Sequence, residues 1–295
     1  MIKKYPYTEI LGWSVSRFDK FKTCKRQYYY EYYAQKHDPD NDRILLKQLK
    51  DLTSGPLETG HLLHEIIRIL LERLKKSTAP IDRARMDAKV RELVGKSFRE
   101  KSFFEVYYNQ PSAPSEEEIY TKVNTMLSDF LNSARYEWLL VHAVQSAHDW
   151  IIEPDGFGET RLGDLKAYCK VDFLVPLGDK VYILDWKSGK EELGKQLRQM
   201  MGYTAFACDH VGKSAEEVVN ILYFLKDGQE KITTFTTPDI REFVGQIHTE
   251  TRELYALTAD KDRNLPLPKE AFTRTDDTFR CNYCNYRQVC EADKG

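Results

Sequence analysis

The 295-residue chain lacks long apolar runs and any large excess of charge of one sign. Its longest apolar stretches fall far short of the roughly 20 residues that cross a membrane, and no signal peptide is visible. We therefore expect a cytoplasmic protein with no membrane partner. The net charge of −2 provides no global basic field, so a contact with nucleic acid must depend on local patches. The sequence also has no G-x-x-x-x-G-K-[ST] motif, which argues against a helicase.

The chain has only six cysteines, and four of them lie near its two ends. Cys281, Cys284 and Cys290 crowd the C-terminal tail, and Cys24 lies near the other end of the chain. A C-x2-C turn supplies two thiolates, a third closes the loop, and Cys24 is the candidate for the fourth. Structural disulfides are not expected in a reducing compartment. By their chemistry alone, the four thiols suit either zinc or an iron–sulfur cluster.

Residues 163–190 form the stretch around which the chain is organised. Two runs rich in Val, Ile, Tyr, Phe and Leu flank a turn that contains Gly178 and Asp179. Such runs on either side of a two-residue loop predict a β-hairpin, in which Leu177 faces Lys180. The hairpin register then determines which polar side chains meet.

In that register, Asp172 lies opposite Asp185, with Cβ atoms about 5 Å apart. Two like charges at this distance repel by roughly 3 kcal/mol at an effective dielectric of about 20, so a cation is expected between them. Lys187 lies two residues after Asp185 and points to the same face. Paired carboxylates suit Mg²⁺ or Mn²⁺. Cys169 is predicted to be a buried strand residue with an inert thiol.

Two predicted helices flank the hairpin and carry further polar candidates. Residues 60–76 have Leu and Ile at helical spacing, with His64 in the first turns. Residues 191–211 place Gln199 and Tyr203 four positions apart, on one helix face. The segment between the first helix and the hairpin is also predicted to be mostly helical.

These residues resemble the signature of the PD-(D/E)XK nuclease superfamily. Asp172 is followed thirteen residues later by Asp185-Trp186-Lys187-Ser188-Gly189, which is close to the D-[YW]-K-[ST]-G of the RecB-like exonuclease branch. Gly60 and His64 match the G-x-x-x-H of that branch, and the pair on the second helix matches its Q-x-x-x-Y. The resemblance covers motif positions along most of the chain but not the helical region before the hairpin.

The resemblance implies a bound Mg²⁺ or Mn²⁺ and a role for each matching residue. The implied metal ligands are His64, Asp172 and Asp185. The implied catalytic residues are Asp172, Asp185, Lys187, Gln199 and Tyr203. In this scheme Lys187 positions the attacking water, and the Gln199 amide and the Tyr203 phenol support Lys187. Glu153 stands where such proteins often carry a glutamate, but we do not count it among the metal ligands.

The cysteines extend the resemblance. One N-terminal cysteine and a C-terminal trio around such a core resemble the iron–sulfur nucleases of the RecB/AddB type and the related CRISPR-associated exonucleases. The resemblance implies a [4Fe-4S] cluster held by Cys24, Cys281, Cys284 and Cys290. Such a cluster would join the N-terminal and C-terminal segments of the chain.

The fold class expected from the resemblance is α/β, with a restriction-endonuclease-like core. This core is a mixed central β-sheet flanked by helices, with a helical insertion and a cluster region that joins the termini. We predict a single nuclease domain over residues 1–295. Its segments are an N-terminal cluster-bearing segment 1–59, a helical region 60–146, a nuclease core 147–259 and a C-terminal cysteine-rich segment 260–295.

The function expected from the sequence is hydrolysis of DNA phosphodiester bonds, with single-stranded DNA or free DNA ends as the preferred partner. DNA repair, recombination or CRISPR adaptation would be the setting, with possible protein partners in a repair or CRISPR complex. One alternative is a non-catalytic DNA-binding or complex-assembly module with a four-cysteine iron–sulfur or zinc site. Another is a zinc-stabilised structural protein.

Overall fold

The structure is a computed structural model that describes residues 2–154 and 158–292. Its α-helices are α1 Val15–Thr23, α2 Lys25–Tyr29, α3 Gln35–His37, α4 Arg43–Lys50, α5 Gly55–Leu74, α6 Arg83–Glu100, α7 Phe104–Tyr107, α8 Glu116–Leu131, α9 Ala134–Val141, α10 Leu193–Val211, α11 Thr237–Tyr255 and α12 Arg287–Ala292. A π-helical turn, Tyr30–Ala34, lies between α2 and α3. None of the helices in the described ranges is long and apolar enough to cross a membrane.

The strands are β1 Ile151–Ile152, β2 Glu159–Leu162, β3 Leu165–Tyr168, β4 Phe173–Leu177, β5 Lys180–Lys187, β6 Val218–Phe224, β7 Glu230–Thr233, β8 Thr258–Asp260 and β9 Leu265–Pro266. Within the described residues, the main sheet has the order β1-β4-β5-β6-β7, and β2-β3 and β8-β9 form two small sheets. The β5–β6 pair is parallel and the other pairs of the main sheet are antiparallel. The predicted mixed central sheet is therefore confirmed.

The chain divides into two compact units. The first takes its described residues from Met1–Lys3, Thr53–Thr160 and Cys169–Ile240, and the second from Lys4–Leu52, Arg161–Tyr168 and Arg241–Gly295. The first unit contains the main sheet, the helices of the predicted helical region, and α10. The second contains α1 to α4, most of α11 and the cysteine-rich tail.

In the first unit, helices cover both faces of the main sheet. Successive side chains of a strand point to opposite faces, and the strands of this sheet carry apolar residues on both. On one face, α5, α6 and α8 pack with the sheet residues Phe173, Val175, Leu184, Trp186, Val219, Ile221 and Tyr223. On the other face, Met200 of α10 packs with Leu222, Phe224 and Phe235. Asp185 lies between Leu184 and Trp186, so its side chain is directed to the α10 face. The prediction of a sheet flanked by helices is confirmed.

The hairpin has the predicted turn and register. Leu177 pairs with Lys180, and Gly178 has the positive φ of +63° that such a turn requires. The pairing ends at Phe173–Leu184, so Asp172 precedes the strand, and its predicted place directly opposite Asp185 in the ladder is wrong. The backbone N–H of the residue after Asp185 instead donates to the Asp172 carboxylate.

The prediction that Cys169 is a strand residue is also wrong. β3 ends at Tyr168, and the N–H of Cys169 donates to the carbonyl of Gly158, 2.9 Å away. Gly158 passes so close that a Cβ on it would lie 2.6 Å from Lys170 Cα. This crossing of the backbone interrupts what the sequence presents as one long strand. Cys169 is nevertheless buried, and burial raises the pKa of its thiol to about 12.

Candidate active site

Helix α5 carries His64 to the end of the hairpin. Ser54 caps the helix by accepting the N–H of Leu57, and Pro56 lies in the first turn, where its missing N–H costs nothing. Four residues before His64, Gly60 faces Ser188, and a Cβ at that position would lie only 2.8 Å from the Ser188 Oγ. The absence of a side chain at Gly60 therefore lets α5 approach the segment that follows Lys187.

His64 contacts two groups of the hairpin. Its Nδ1 lies 3.3 Å from Oδ2 of Asp172, and its Nε2 lies 2.9 Å from the carbonyl oxygen of Trp186. The N–H of Trp186 donates to the same Asp172 oxygen over 3.1 Å. These contacts attach Asp172, which lies outside the strand ladder, to both α5 and β5.

A closed chain of contacts surrounds Asp185 on its other side. The Tyr203 hydroxyl donates to Asp185 Oδ1 over 2.6 Å, and the Gln199 amide nitrogen donates to that hydroxyl over 2.5 Å. The Gln199 amide oxygen accepts from the Lys187 ammonium over 2.7 Å. Lys187 Nζ then lies 2.5 Å from Asp185 Oδ2, which closes the ring. The four side chains thus fix one another from two elements, β5 and α10.

The two aspartates differ in their electrostatic surroundings. Burial raises the pKa of Asp185, and the charge of Asp172 raises it further, against the opposing effects of Lys187 and Tyr203. Burial would also raise the pKa of Asp172, but the neighbouring His64 and Lys187 outweigh it, so that pKa falls below its usual range. The pKa of Tyr203 is raised well above its ordinary value, chiefly by burial and then by Asp185. The phenol therefore remains a proton donor to the carboxylate.

His64 is held in its charged form when no cation neutralises the two carboxylates. Burial lowers its pKa, but the charge and hydrogen bond of Asp172 outweigh burial and raise the pKa to about 9. The imidazolium then contacts two oxygens, one on Asp172 and one on Trp186. Metal ligation by His64 requires the ring to lose a proton and one of these contacts.

The chemistry of the donor set fits a hard divalent cation. Asp185 Oδ2 is buried and has no hydrogen-bond donor aligned with it, although the Lys187 ammonium is close. Both contacts of Asp172 described above use Oδ2. Such carboxylate oxygens are the ligands that Mg²⁺ and Mn²⁺ prefer. As the side chains stand, however, no three His, Cys, Asp or Glu residues in the described ranges are grouped to hold a metal ion.

The site opens onto a groove of about 440 Å³. Its lining includes His64, Asp172 and Lys187, together with two residues outside the predicted catalytic set, Glu153 and Lys170. Lys170 was not among the residues predicted from the sequence. The available signal was its spacing, since it lies two residues before Asp172, on the segment that leads to the hairpin.

The four cysteines of the predicted cluster line a cavity of about 290 Å³ in the second unit. All four are thiols outside any disulfide, and all four are of intermediate exposure. Burial, and to a lesser extent the charges that its three cysteine neighbours would carry, raise the pKa of Cys284 to about 12. Cys24 ends α1 and begins α2, where its sulfur accepts the N–H of Gln27 over 3.5 Å. The cluster itself stays a prediction.

Comparisons with known proteins were made for sequence and for structure. A sequence model of the PD-(D/E)XK nuclease superfamily matches residues 12–291. No curated protein matches the chain significantly. Among solved structures, the crystal structure of SSO0001 is similar, with 16% identity over 69% of this chain and 84% of that chain, at a TM-score of 0.29.

Proposed function

The chain belongs to the PD-(D/E)XK nuclease superfamily, and from this premise we propose that it is a metal-dependent deoxyribonuclease. Its preferred substrate would be single-stranded DNA with free ends. The observation that carries the proposal is the ring of Asp185, Tyr203, Gln199 and Lys187, with the charge of Asp172 acting on Asp185. A solvent-facing hairpin would have no need for a buried carboxylate that accepts a hydrogen bond from a tyrosine of another element.

Mg²⁺ or Mn²⁺ would be held by Asp172 and Asp185, with His64 joining once its ring is neutral. A bound divalent ion would offset charge on the scissile phosphate and lower the pKa of the attacking water. The carboxylates would hold the cation at a fixed place because each is restrained, Asp172 by the Trp186 N–H and Asp185 by the Tyr203 hydroxyl. Carboxylates restrained in this way need little reorganisation during the reaction.

Lys187 would position the attacking water. An ammonium has three N–H donors, and Asp185 and Gln199 account for two directions. The third donor is left for a water molecule or a phosphate oxygen in the groove. Tyr203 supports this arrangement by holding both Asp185 and Gln199, so the ammonium cannot leave without breaking the ring.

The four-cysteine cavity would hold a [4Fe-4S] cluster. Cys24, Cys281, Cys284 and Cys290 line one cavity of about 290 Å³. Four thiolates suit zinc or an iron–sulfur cluster equally well by their chemistry. The resemblance of their pattern to that of iron–sulfur nucleases is what favours a cluster, in an enzyme that would act in repair, recombination or a CRISPR complex.

The decisive experiment is cleavage of end-labelled single-stranded DNA by anaerobically purified protein in Mn²⁺ or Mg²⁺. We expect Asp185→Asn to slow cleavage by about 100-fold or more, because it removes a charge at the centre of the ring. Asp179→Asn is the matched control, since Asp179 lies exposed in the turn of the same hairpin.

The ladder of products gives the polarity of cleavage. If the wild type binds the DNA but never cuts it, the protein is a non-catalytic binding module. If Asp185→Asn cuts as fast as the wild type, the active site lies elsewhere.

A further inference from the structure

The groove contains a second ammonium besides Lys187. Lys170 lies on the segment between β3 and Asp172, and 45% of its side chain is exposed, compared with 20% for Lys187. Its Nζ lies 3.0 Å from Oε2 of Glu153. Nothing in the chemistry proposed above uses this pair.

The two ammonium groups are held very differently. Lys187 is fixed by the buried Asp185 and by Gln199. In the part of the chain that the structure describes, the contact recorded for Lys170 is the one with Glu153. An exposed ion pair of this kind contributes about 0–1 kcal/mol, so an incoming anion can displace it. Lys170 can therefore exchange Glu153 for a ligand, whereas Lys187 keeps its contacts with Asp185 and Gln199.

Glu153 has an unusual backbone for its residue type. Its φ is +40°, in the left-handed region that non-glycine residues rarely adopt. Its N–H donates to the carbonyl oxygen of Asp172 over 2.9 Å. This hydrogen bond connects Glu153 to the backbone of a proposed metal ligand, and the carboxylate reaches Lys170 from there. Strained residues of this kind concentrate at functional sites.

We propose that Lys170 binds a phosphate of the substrate strand beside the scissile one, and that Glu153 is its positioning residue. In the free protein the carboxylate holds the ammonium at the rim of the groove, 3.0 Å away. When DNA binds, the phosphate replaces the carboxylate as the partner of Lys170. This inference rests on the proposed nuclease function, because it assigns a second phosphate contact to the same site.

The proposal predicts opposite effects for the two members of the pair. Lys170→Gln removes a phosphate contact, so we expect affinity for single-stranded DNA to fall about tenfold. The slope of log affinity against log salt concentration should decrease in magnitude by about one. Glu153→Gln removes the anion that competes with the phosphate, so we expect affinity to rise about threefold. A purely structural ion pair would give two effects of the same sign.

Binding is measured by fluorescence anisotropy with labelled oligothymidine in EDTA, over a series of salt concentrations. The matched control is the ion pair Lys89–Glu92 on α6, which is exposed and has a separation of 2.7 Å. Lys89→Gln and Glu92→Gln are expected to leave affinity unchanged. Lys170→Arg, which keeps the charge, is expected to bind like the wild type. Cleavage in Mn²⁺ is measured in parallel, where Lys170→Gln should raise KM more than it lowers kcat.

The outcomes separate the two ideas. If the wild type cleaves DNA but Lys170→Gln binds it as the control variants do, the phosphate contact is wrong and the nuclease assignment stands. If Lys170→Gln and Glu153→Gln both weaken binding and lower the melting temperature together, the pair is structural. A wild type that neither binds nor cleaves DNA overturns both proposals.

Discussion

At the scale of single residues, the active site depends on how a buried charge is kept in place. Asp185 is 2% exposed, and burial together with Asp172 raises its pKa. A carboxylate in this position costs free energy unless its oxygens are satisfied. Tyr203 satisfies one oxygen with a hydrogen bond, and Lys187 balances the charge at the other. The ring therefore opposes the effect of burial, which on its own would favour the neutral acid.

Removing the phenolic hydroxyl tests this view. Tyr203→Phe leaves the ring in the core but deletes the donor to Asp185 and the acceptor of the Gln199 amide. A hydrogen bond to a charged group contributes about 1.5–3 kcal/mol, so we expect kcat to fall by about 10- to 100-fold. Single-turnover kinetics with end-labelled DNA provides the measurement.

Tyr182→Phe is the control for that variant, because Tyr182 lies on β5, the strand of Asp185, and its hydroxyl makes none of the ring contacts. We expect it to cleave DNA at the wild-type rate. Equal losses in both variants would mean that the effect comes from stability rather than from the Tyr203 hydrogen bonds.

The residues of the candidate site differ in how far the sequence could anticipate them. Gln199 and Tyr203 were predictable as neighbours because a spacing of four on a helix places them on one face. The hydrogen bonds that join them to Lys187 and Asp185 depend on how α10 crosses the sheet, which spacing does not specify. The role proposed for Lys170 was not predicted, because it depends on Glu153, a residue that another segment of the chain brings to it.

At the scale of elements, the hairpin shows what local rules can and cannot determine. Alternation and turn chemistry were enough to predict that Leu177 faces Lys180. They could not predict the break after Tyr168, because it arises where Gly158 crosses the segment and takes the N–H of Cys169. The start of α5 was also not predicted. The apolar periodicity indicated a helix from residue 60, whereas α5 begins at Gly55, where Ser54 caps it before the amphipathic run.

The contact between α5 and the segment after β5 can be tested through Gly60. In Gly60→Ala, the new Cβ would lie 2.8 Å from Ser188 Oγ, so the helix or the serine must move. Ala is about 1 kcal/mol better than Gly inside a helix, so we expect stability to be kept while kcat falls about fivefold. Adding Ser188→Ala relieves the contact and should restore the rate.

Gly245→Ala is the matched control, since Gly245 also lies inside a helix and a Cβ there meets nothing within 4 Å. Melting temperature and cleavage rate are measured for each variant. If Ser188→Ala fails to rescue Gly60→Ala, the two residues are not coupled and the close approach of α5 does not govern activity.

At the scale of the whole molecule, the two groups of predicted site residues lie in different compact units. The proposed catalytic and metal-binding residues all belong to the first unit, and the four cysteines all belong to the second. The sequence predicted that each group would be assembled from distant segments, because the motifs are separated along the chain. It could not predict the division into units, which depends on packing between segments such as Arg161–Tyr168 and the two ends of the chain.

This separation leads to a prediction about the cysteine site. A cluster that joins Cys24 to the C-terminal trio would close a loop of nearly the whole chain. Closing this loop lowers the entropy of the unfolded chain, which increases the free energy of unfolding by about 3–5 kcal/mol. We expect anaerobically purified protein to contain about four iron and four sulfide per chain. Cys24→Ser should lose the iron and lower the melting temperature by about 10 °C.

The control for Cys24→Ser is Cys208→Ser, because Cys208 lies on α10 in the first unit and does not line the cysteine cavity. It should keep both iron and stability. If Cys24→Ser retains its full iron content, Cys24 is not a ligand. If the wild type instead contains one zinc per chain and no iron, the four thiols form a zinc site. In either case the assignment of Asp185 and Lys187 is unaffected, since their test is the cleavage of DNA.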